Sequence, residues 1–202
     1  MNDALSGGFT DPIFQSQAMF RTLLSVLARP GTVAILSRPV IAPPPLNRAS
    51  GAVLCALADE ATPIHVDCAP AERALLASWI GFHTGARLVD DPGEATFAVI
   101  SDPAAMPPLT AFRQGEDDYP DRSATVVLQL ASLTGGRRLT LSGPGIDGTA
   151  TISPDPLSDD LIRQLGDNRR RFPRGVDLIL AAPDAVAALP RTTDIRLEPG
   201  DR

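Results

Sequence analysis

Ala95-Thr96-Phe97-Ala98-Val99-Ile100 is a short, nearly continuous apolar run. A strand with one face in water alternates apolar and polar residues, whereas a strand covered on both faces does not. The run therefore reads as a strand buried on both sides, which requires other elements packed above and below its sheet. Outward from it, Ala124 to Leu130, with Val126, Val127 and Leu128, is strongly β-like, and Thr32 to Leu36, Pro63 to Val66 and Asp177 to Leu180 read as further short strands. Leu139 to Ser142 and Thr149 to Ile152 alternate in the manner of half-buried strands. Ile195 to Leu197 reads as a last strand.

The helices carry their own punctuation. Asp11 as N-cap and Pro12 in the first turn open one, whose expected apolar face is Ile13, Phe20, Leu23, Leu24 and Leu27, and Arg29-Pro30-Gly31 stops it. A second runs from about Leu46 to Leu57, and a third from Ala71 to about Thr84, ended by Gly85. A fourth starts at the Ser158 cap, with Asp159 and Asp160 on its dipole, and ends before Pro173. Asp184 to Leu189 reads as a short helix. Residues 1–11 read as a loose arm, residues 12–202 as one domain, and the polar stretch 109–122 as an exposed excursion. Helices in the first half and last third, strands between them, and both βαβ-like and hairpin connections predict a layered α/β fold on a mixed sheet.

Composition removes several functions. The chain is 44% apolar and 21% charged, as soluble globular chains are. A net charge of −6 speaks against nucleic acid and against an anionic membrane as partner. All 18 basic residues are arginine. Without a lysine there is no Schiff base to pyridoxal phosphate, so no such cofactor is expected, and no Walker A lysine. Cys55 and Cys68 are too few for a disulfide framework or a zinc site and read as reduced thiols. The opening MNDALSGGFTDP has neither the basic nor the apolar region of a leader, and a cytoplasmic protein is expected.

Gly143-Pro144-Gly145-Ile146-Asp147-Gly148 matches G-x-G-x-x-G letter for letter. A dinucleotide fingerprint needs a helix next, so that its N-terminus meets the pyrophosphate. Here Thr149-Ala150-Thr151-Ile152 follows and Pro144 removes a donor, so the segment reads as a hairpin turn. His83, in the last turn of the third helix, is placed where the dipole favours its charged form, and stands either as a capping residue or as a ligand. His65 reads as structural. In Arg169-Arg170-Arg171-Phe172-Pro173-Arg174-Gly175-Val176-Asp177 the arginines suit a helix end. Arg174 and Asp177 form either a salt bridge across the turn or part of a patch for an anion or an acidic partner. Arg191-Thr192-Thr193 after Pro190 is a second donor-rich loop. No nucleophile elbow, catalytic triad, carboxylate pair or metal site emerges, and no catalytic residue is assigned.

Five segments appear in one order: Phe20-Arg21-x-x-Leu24 leading to Arg29-Pro30-Gly31, Phe82-His83-Thr84-Gly85, Gly143-Pro144-Gly145-Ile146, Phe172-Pro173-Arg174-Gly175-Val176-Asp177 and Pro190-Arg191-Thr192-Thr193. Together they resemble the H-subunit family of the carbon–phosphorus lyase system for phosphonate use. The resemblance implies a three-layer α/β/α sandwich similar to the large domain of pyridoxal-phosphate-dependent transferases, without the cofactor. It implies a homodimer in isolation, association with the G, I and J subunits in a core complex, and dependence on the L subunit. It implies support for a reaction in which methylphosphonate displaces adenine from ATP, with the glycosyl-transfer chemistry in the I subunit.

A non-catalytic subunit, a stand-alone nucleotide- or phosphonate-binding enzyme, and a degenerate small-molecule sensor are thus the competing readings. The enzyme reading predicts that Arg29, His83, Arg174 and Arg191 converge on one pocket. The residues expected to meet a ligand or partner are Arg29, His83, Arg174, Asp177, Arg191 and Thr192.

Overall fold

The apolar run at 95–100 becomes β4 (Phe97–Ile100), with all four residues buried, in the middle of a seven-stranded sheet. The computed structural model describes residues 5–37 and 40–198. Strand order is β1 (Ala34–Ile35), β9 (Ala185–Leu189), β8 (Asp177–Ala182), β5 (Thr125–Gln129), β4, β2 (Ile64–Val66) and β3 (Leu88–Val89). Among the described residues β9 alone runs against the others, so the sheet is mixed.

Alternation along the strands divides the core in two. Phe97 and Val99 of β4, Val127 of β5 and Ile179 and Ala181 of β8 face one side. Ala98, Ile100, Val126, Leu128, Leu178 and Leu180 face the other. The first side is covered by α1 (Pro12–Ala28), α2 (Arg48–Leu57) and α3 (Pro70–Thr84). The second is covered by α4 (Asp159–Arg170) and by a three-stranded antiparallel sheet, β10 (Asp194–Leu197), β6 (Leu139–Ser142) and β7 (Ala150–Ile152). An α/β/α sandwich was expected; this outer layer is half sheet, because β6, β7 and β10 alternate and bury only one face against the core.

The helix signals act as physical chemistry requires. The Asp11 side chain accepts from Phe14 N at 3.3 Å, and Ser158 accepts from Leu161 N at 3.1 Å. Gly85 stops α3 in a left-handed conformation at φ 78°. The inner face of α1 differs from the expected one, however. Met19, Leu23 and Val26 are buried, Ile13, Phe20 and Leu24 are exposed, and Leu27 is half-buried. α1 is apolar around most of its circumference, so periodicity alone does not say which side meets the sheet.

Three other expectations change. Asp184 to Leu189 forms no helix: Ala185–Leu189 is β9, five buried residues paired antiparallel with β8. Its alanines favour a helix in isolation, but burial between two layers overrides that preference. Of the loose arm expected over 1–11, residues 1–4 lie outside the described residues, while residues 6–9 are tied down. Gly8 N donates to Ile41 O at 3.0 Å, the buried Trp79 indole donates to Ser6 O at 3.1 Å, and Phe9 packs on the core. The excursion at 109–122 is anchored by the buried Leu109 and Phe112. Leu88–Val89, too short to read from sequence, adds an edge strand beside β2.

The G-x-G-x-x-G segment is the β6–β7 hairpin turn. Its glycines serve a close approach between two layers. Gly145 has φ +81°, and a Cβ there would collide with Ala28 O at the end of α1 and press on Pro30. Across the same contact, a Cβ on Gly31 would sit 2.7 Å from Ala150 Cβ. Gly148 has φ +71° and open space around it. We expect Gly148→Ala to cost about 1–2 kcal/mol, the strain of the backbone alone, and Gly145→Ala clearly more, because strain and backbone collision add. Chemical-denaturation midpoints of the two variants measure the difference.

Candidate functional site

Arg191 follows the end of β9, and Asp177 begins β8 beside it. The Asp177 carboxylate accepts from Arg191 Nε at 3.2 Å, from Arg191 Nη2 at 2.6 Å and from the Arg191 backbone N–H at 2.8 Å. Arg191 Nη1 donates to Pro120 O at 3.0 Å and to Pro173 O at 3.3 Å, and Nη2 also donates to Ser123 Oγ. A guanidinium has five N–H donors, and here each has a protein acceptor. The two side chains are only 12% and 26% exposed. Arg191 therefore clamps three segments of its own chain.

The loop before β8 is built for the same corner. Asn168 of α4, buried, donates from Nδ2 to Val176 O at 2.8 Å and accepts from Val176 N at 2.9 Å. A Cβ on Gly175, at φ +123°, would fall 2.6 Å from Asn168 Oδ1. Arg174 does not pair with Asp177 across the turn. It meets Asp117 at 3.2 Å, since Asp177 is taken by Arg191. Arg170 pairs with Asp167, Arg171 donates to Gln114 Oε1 at 3.1 Å, and the Arg169 guanidinium lies 5.9 Å from the Phe172 ring centroid. Around this corner runs an open groove of about 340 Å³ lined by Pro120, Asp121, Phe172, Pro173, Pro190 and Thr192 together with the Arg191–Asp177 pair.

The six expected residues fall in separate places. Arg174, Asp177, Arg191 and Thr192 share this corner. Arg29 caps α1, bonded to Ser25 Oγ, at the contact with the β6–β7 hairpin. That hairpin touches Thr192 on its other flank, where a Cβ on Gly143 would meet Thr192 O at 3.0 Å. Four of the five segments that carry the family resemblance thus meet here. The fifth does not: His83 ends α3, which packs at the β3 end of the sheet.

His83 sits 4.7 Å from the Trp79 ring and 5.0 Å from the Phe82 ring, with Gly8 against it. Its Nε2 is buried without a hydrogen-bond partner. Burial pushes the His83 pKa down, and the backbone oxygens of Leu5 and Ser6 oppose that shift only in part. The dipole was expected to favour the charged ring; desolvation outweighs it.

Sequence reasoning missed the pairing of Pro120 and Ser123 with Arg191, of Asp117 with Arg174 and of Gln114 with Arg171, all delivered to this corner by the 109–122 excursion and its margin. The signal was faint: one arginine of a Pro-Arg-Thr-Thr loop, two of whose acceptors are backbone oxygens that no residue type announces. The opposite end of the sheet is closed by the chain itself. In parallel α/β sheets ligands sit beyond the carboxyl ends of the strands. At those ends Asn47 donates from its backbone N–H to Gln129 Oε1 and from Nδ2 to Ala181 O at 2.8 Å, and Gln129 Nε2 donates to Pro45 O at 2.9 Å. Between β2 and β4, Asp67 accepts from Ser101 N at 2.6 Å and Asp102 N at 3.3 Å.

The family model described as "Bacterial phosphonate metabolism protein (PhnH)" matches residues 7–196. The chain belongs to the PhnH family. A relative from Rhizobium meliloti (strain 1021), the alpha-D-ribose 1-methylphosphonate 5-triphosphate synthase subunit PhnH, is 42% identical over 193 residues, 96% of each chain. A second, the putative C-P lyase subunit protein HtxG of Stutzerimonas stutzeri, is 30% identical over 194 residues, 91% of this chain and 87% of its own. The family match encloses the corner of Arg191 and the hairpin it borders. Among the described residues, no helix is long and apolar enough to cross a membrane.

Removing one partner of a largely buried, hydrogen-bonded ion pair leaves the other charge uncompensated. Arg191→Ala is expected to cost about 3 kcal/mol or more and to lower the melting temperature by at least about 6 °C. Arg174→Ala, which frees an exposed pair, should change it by less than about 1 kcal/mol. Calorimetric melting of both variants provides the check.

His83 gives a pH signature. Its folded pKa lies below the ordinary 6.5, so the unfolded chain binds the proton more readily. The stability it contributes is full above that ordinary value and falls as pH drops through it, levelling once the folded ring protonates. Urea midpoints between pH 8 and pH 5 should fall further for the wild type than for His83→Gln.

Proposed function

We propose that this chain is a non-catalytic subunit of a carbon–phosphorus lyase assembly. It supports the reaction in which methylphosphonate displaces adenine from ATP to give ribose 1-methylphosphonate 5-triphosphate. The observation that carries this reading is the saturation of Arg191, the cation best placed to hold a phosphate or phosphonate, by its own chain. The named relatives, subunits of a synthase and of a C-P lyase, support the same reading. Chemistry is then supplied by other subunits, and this chain supplies surface.

In this reading its partners are the G, I and J subunits, with functional dependence on the L subunit. The chain pairs with a second copy when isolated and works in the cytoplasm. The frame is a cofactor-free relative of the pyridoxal-phosphate transferase large domain, a view supported by a sheet in which one strand opposes the rest and by a chain without lysine. Arg174 and Thr192, on the groove rim, and Arg29, across the hairpin, are the contact residues proposed for a partner.

Three measurements test this together. A strain lacking the gene should fail to grow on methylphosphonate as its phosphorus source, and regain growth with the wild-type chain. The purified chain should show no heat on titration with millimolar ATP, and should be retained by the I subunit, with the G subunit present, on an affinity column. Heat with ATP and turnover by the chain alone would instead establish the stand-alone enzyme.

A further inference from the structure

The PhnH reading leaves one face unused. Ile13, Phe14, Phe20 and Leu24 of α1, Ile35 of β1 and Ile41 are exposed by 68%, 71%, 45%, 50%, 76% and 69%. Soluble monomers rarely group so many large apolar side chains in one neighbourhood of the chain. Ile13, Phe20 and Leu24 recur at spacings of seven and four, a stripe along a helix of 17 residues, about 25 Å long. Beside Phe14 a hollow of about 290 Å³ opens between α1, Ile35 and Phe9, large enough for an apolar side chain.

Charge is distributed just as unevenly. Between Asp11 and Asp59 there is no aspartate or glutamate, while Arg21, Arg29, Arg38 and Arg48 fall within that stretch. All 24 acidic residues of the chain lie elsewhere, in a protein whose net charge is −6. This segment is α1, β1 and α2, with Arg38 outside the described residues. Of the two carboxylates at its margins, Asp11 is engaged in capping α1 and Asp59 in accepting from Ala61 N at 3.0 Å.

We propose that the exposed face of α1 with Ile35 is the docking surface for another subunit, whose contacting segment is apolar and rimmed by carboxylates. The proposal rests on the chain working within a multi-subunit assembly. Charge decides the occupant. A second copy presenting the same face would set the exposed Arg21 of one helix against that of the other beside the apolar stripe, whereas a carboxylate rim complements it. A nucleic acid or a membrane needs a denser basic patch, and one of these arginines, Arg48, already pairs with Asp184 at 3.5 Å.

Hydrogen–deuterium exchange and affinity measurements on the full chain, alone and with the other purified subunits, test this. Expected is new protection over residues 12–28 only when a partner subunit is added. Phe20→Glu and Arg21→Glu should weaken binding roughly tenfold or more, with melting temperatures unchanged because both positions are exposed. Arg163→Glu on α4 should bind as wild type. Binding with α1 unprotected and both variants unimpaired overturns the docking face and leaves the subunit reading intact. Protection of α1 that grows with the concentration of the chain alone makes the occupant a second copy and overturns the proposal. Failure of every subunit to bind overturns both readings.

Discussion

The Arg191–Asp177 pair is the joint on which the architecture turns. It stands where β9 leaves the sheet and β8 enters, and it collects backbone oxygens from the loops at Pro120 and Pro173. A buried guanidinium must have its donors met, so these loops are held at fixed distances from the sheet. The same fixing sets the position of the small sheet, because β10 begins just after Arg191 and pairs with β6. From β6 the constraint passes through the Gly143–Gly148 turn to the end of α1. Layers on opposite sides of the large sheet are thereby referred to one corner.

The sheet and its helices were legible because their signals are local. Asp11, Ser158 and Gly85 mark helix ends by their own chemistry, and the apolar run at 97–100 announces burial on both faces. What failed depended on neighbours. Ala185 to Leu189 has the composition of a helix and becomes a strand because β8 and two layers surround it. α1 carries apolar residues on more than one side, and only the packed structure says that Met19, Leu23 and Val26 are the inner ones. At the candidate site the residue types were readable but not their pairing. Arg174 and Asp177, near neighbours in sequence, are bonded to Asp117 and Arg191 from elsewhere in the chain.

The G-x-G-x-x-G letters lead into a strand, not a helix. The structure adds the positive reason for the glycines: Gly145 admits the carbonyl of Ala28 into the turn. Three polar features of the kind found at catalytic sites thus resolve into internal fastening. The arginine clamp, the glycine turn and the Asn47–Gln129 bridge at the carboxyl ends of the strands each spend polar groups on the chain itself.

Both borders of the seven-stranded sheet are strands of two residues, Ala34–Ile35 and Leu88–Val89. An open border normally offers a ladder of unpaired backbone groups to any passing strand. Two residues offer too short a template for that. Extension of the large sheet, and the fibre growth to which it can lead, is therefore disfavoured, and whatever meets those two borders must recognise side chains rather than a backbone ladder.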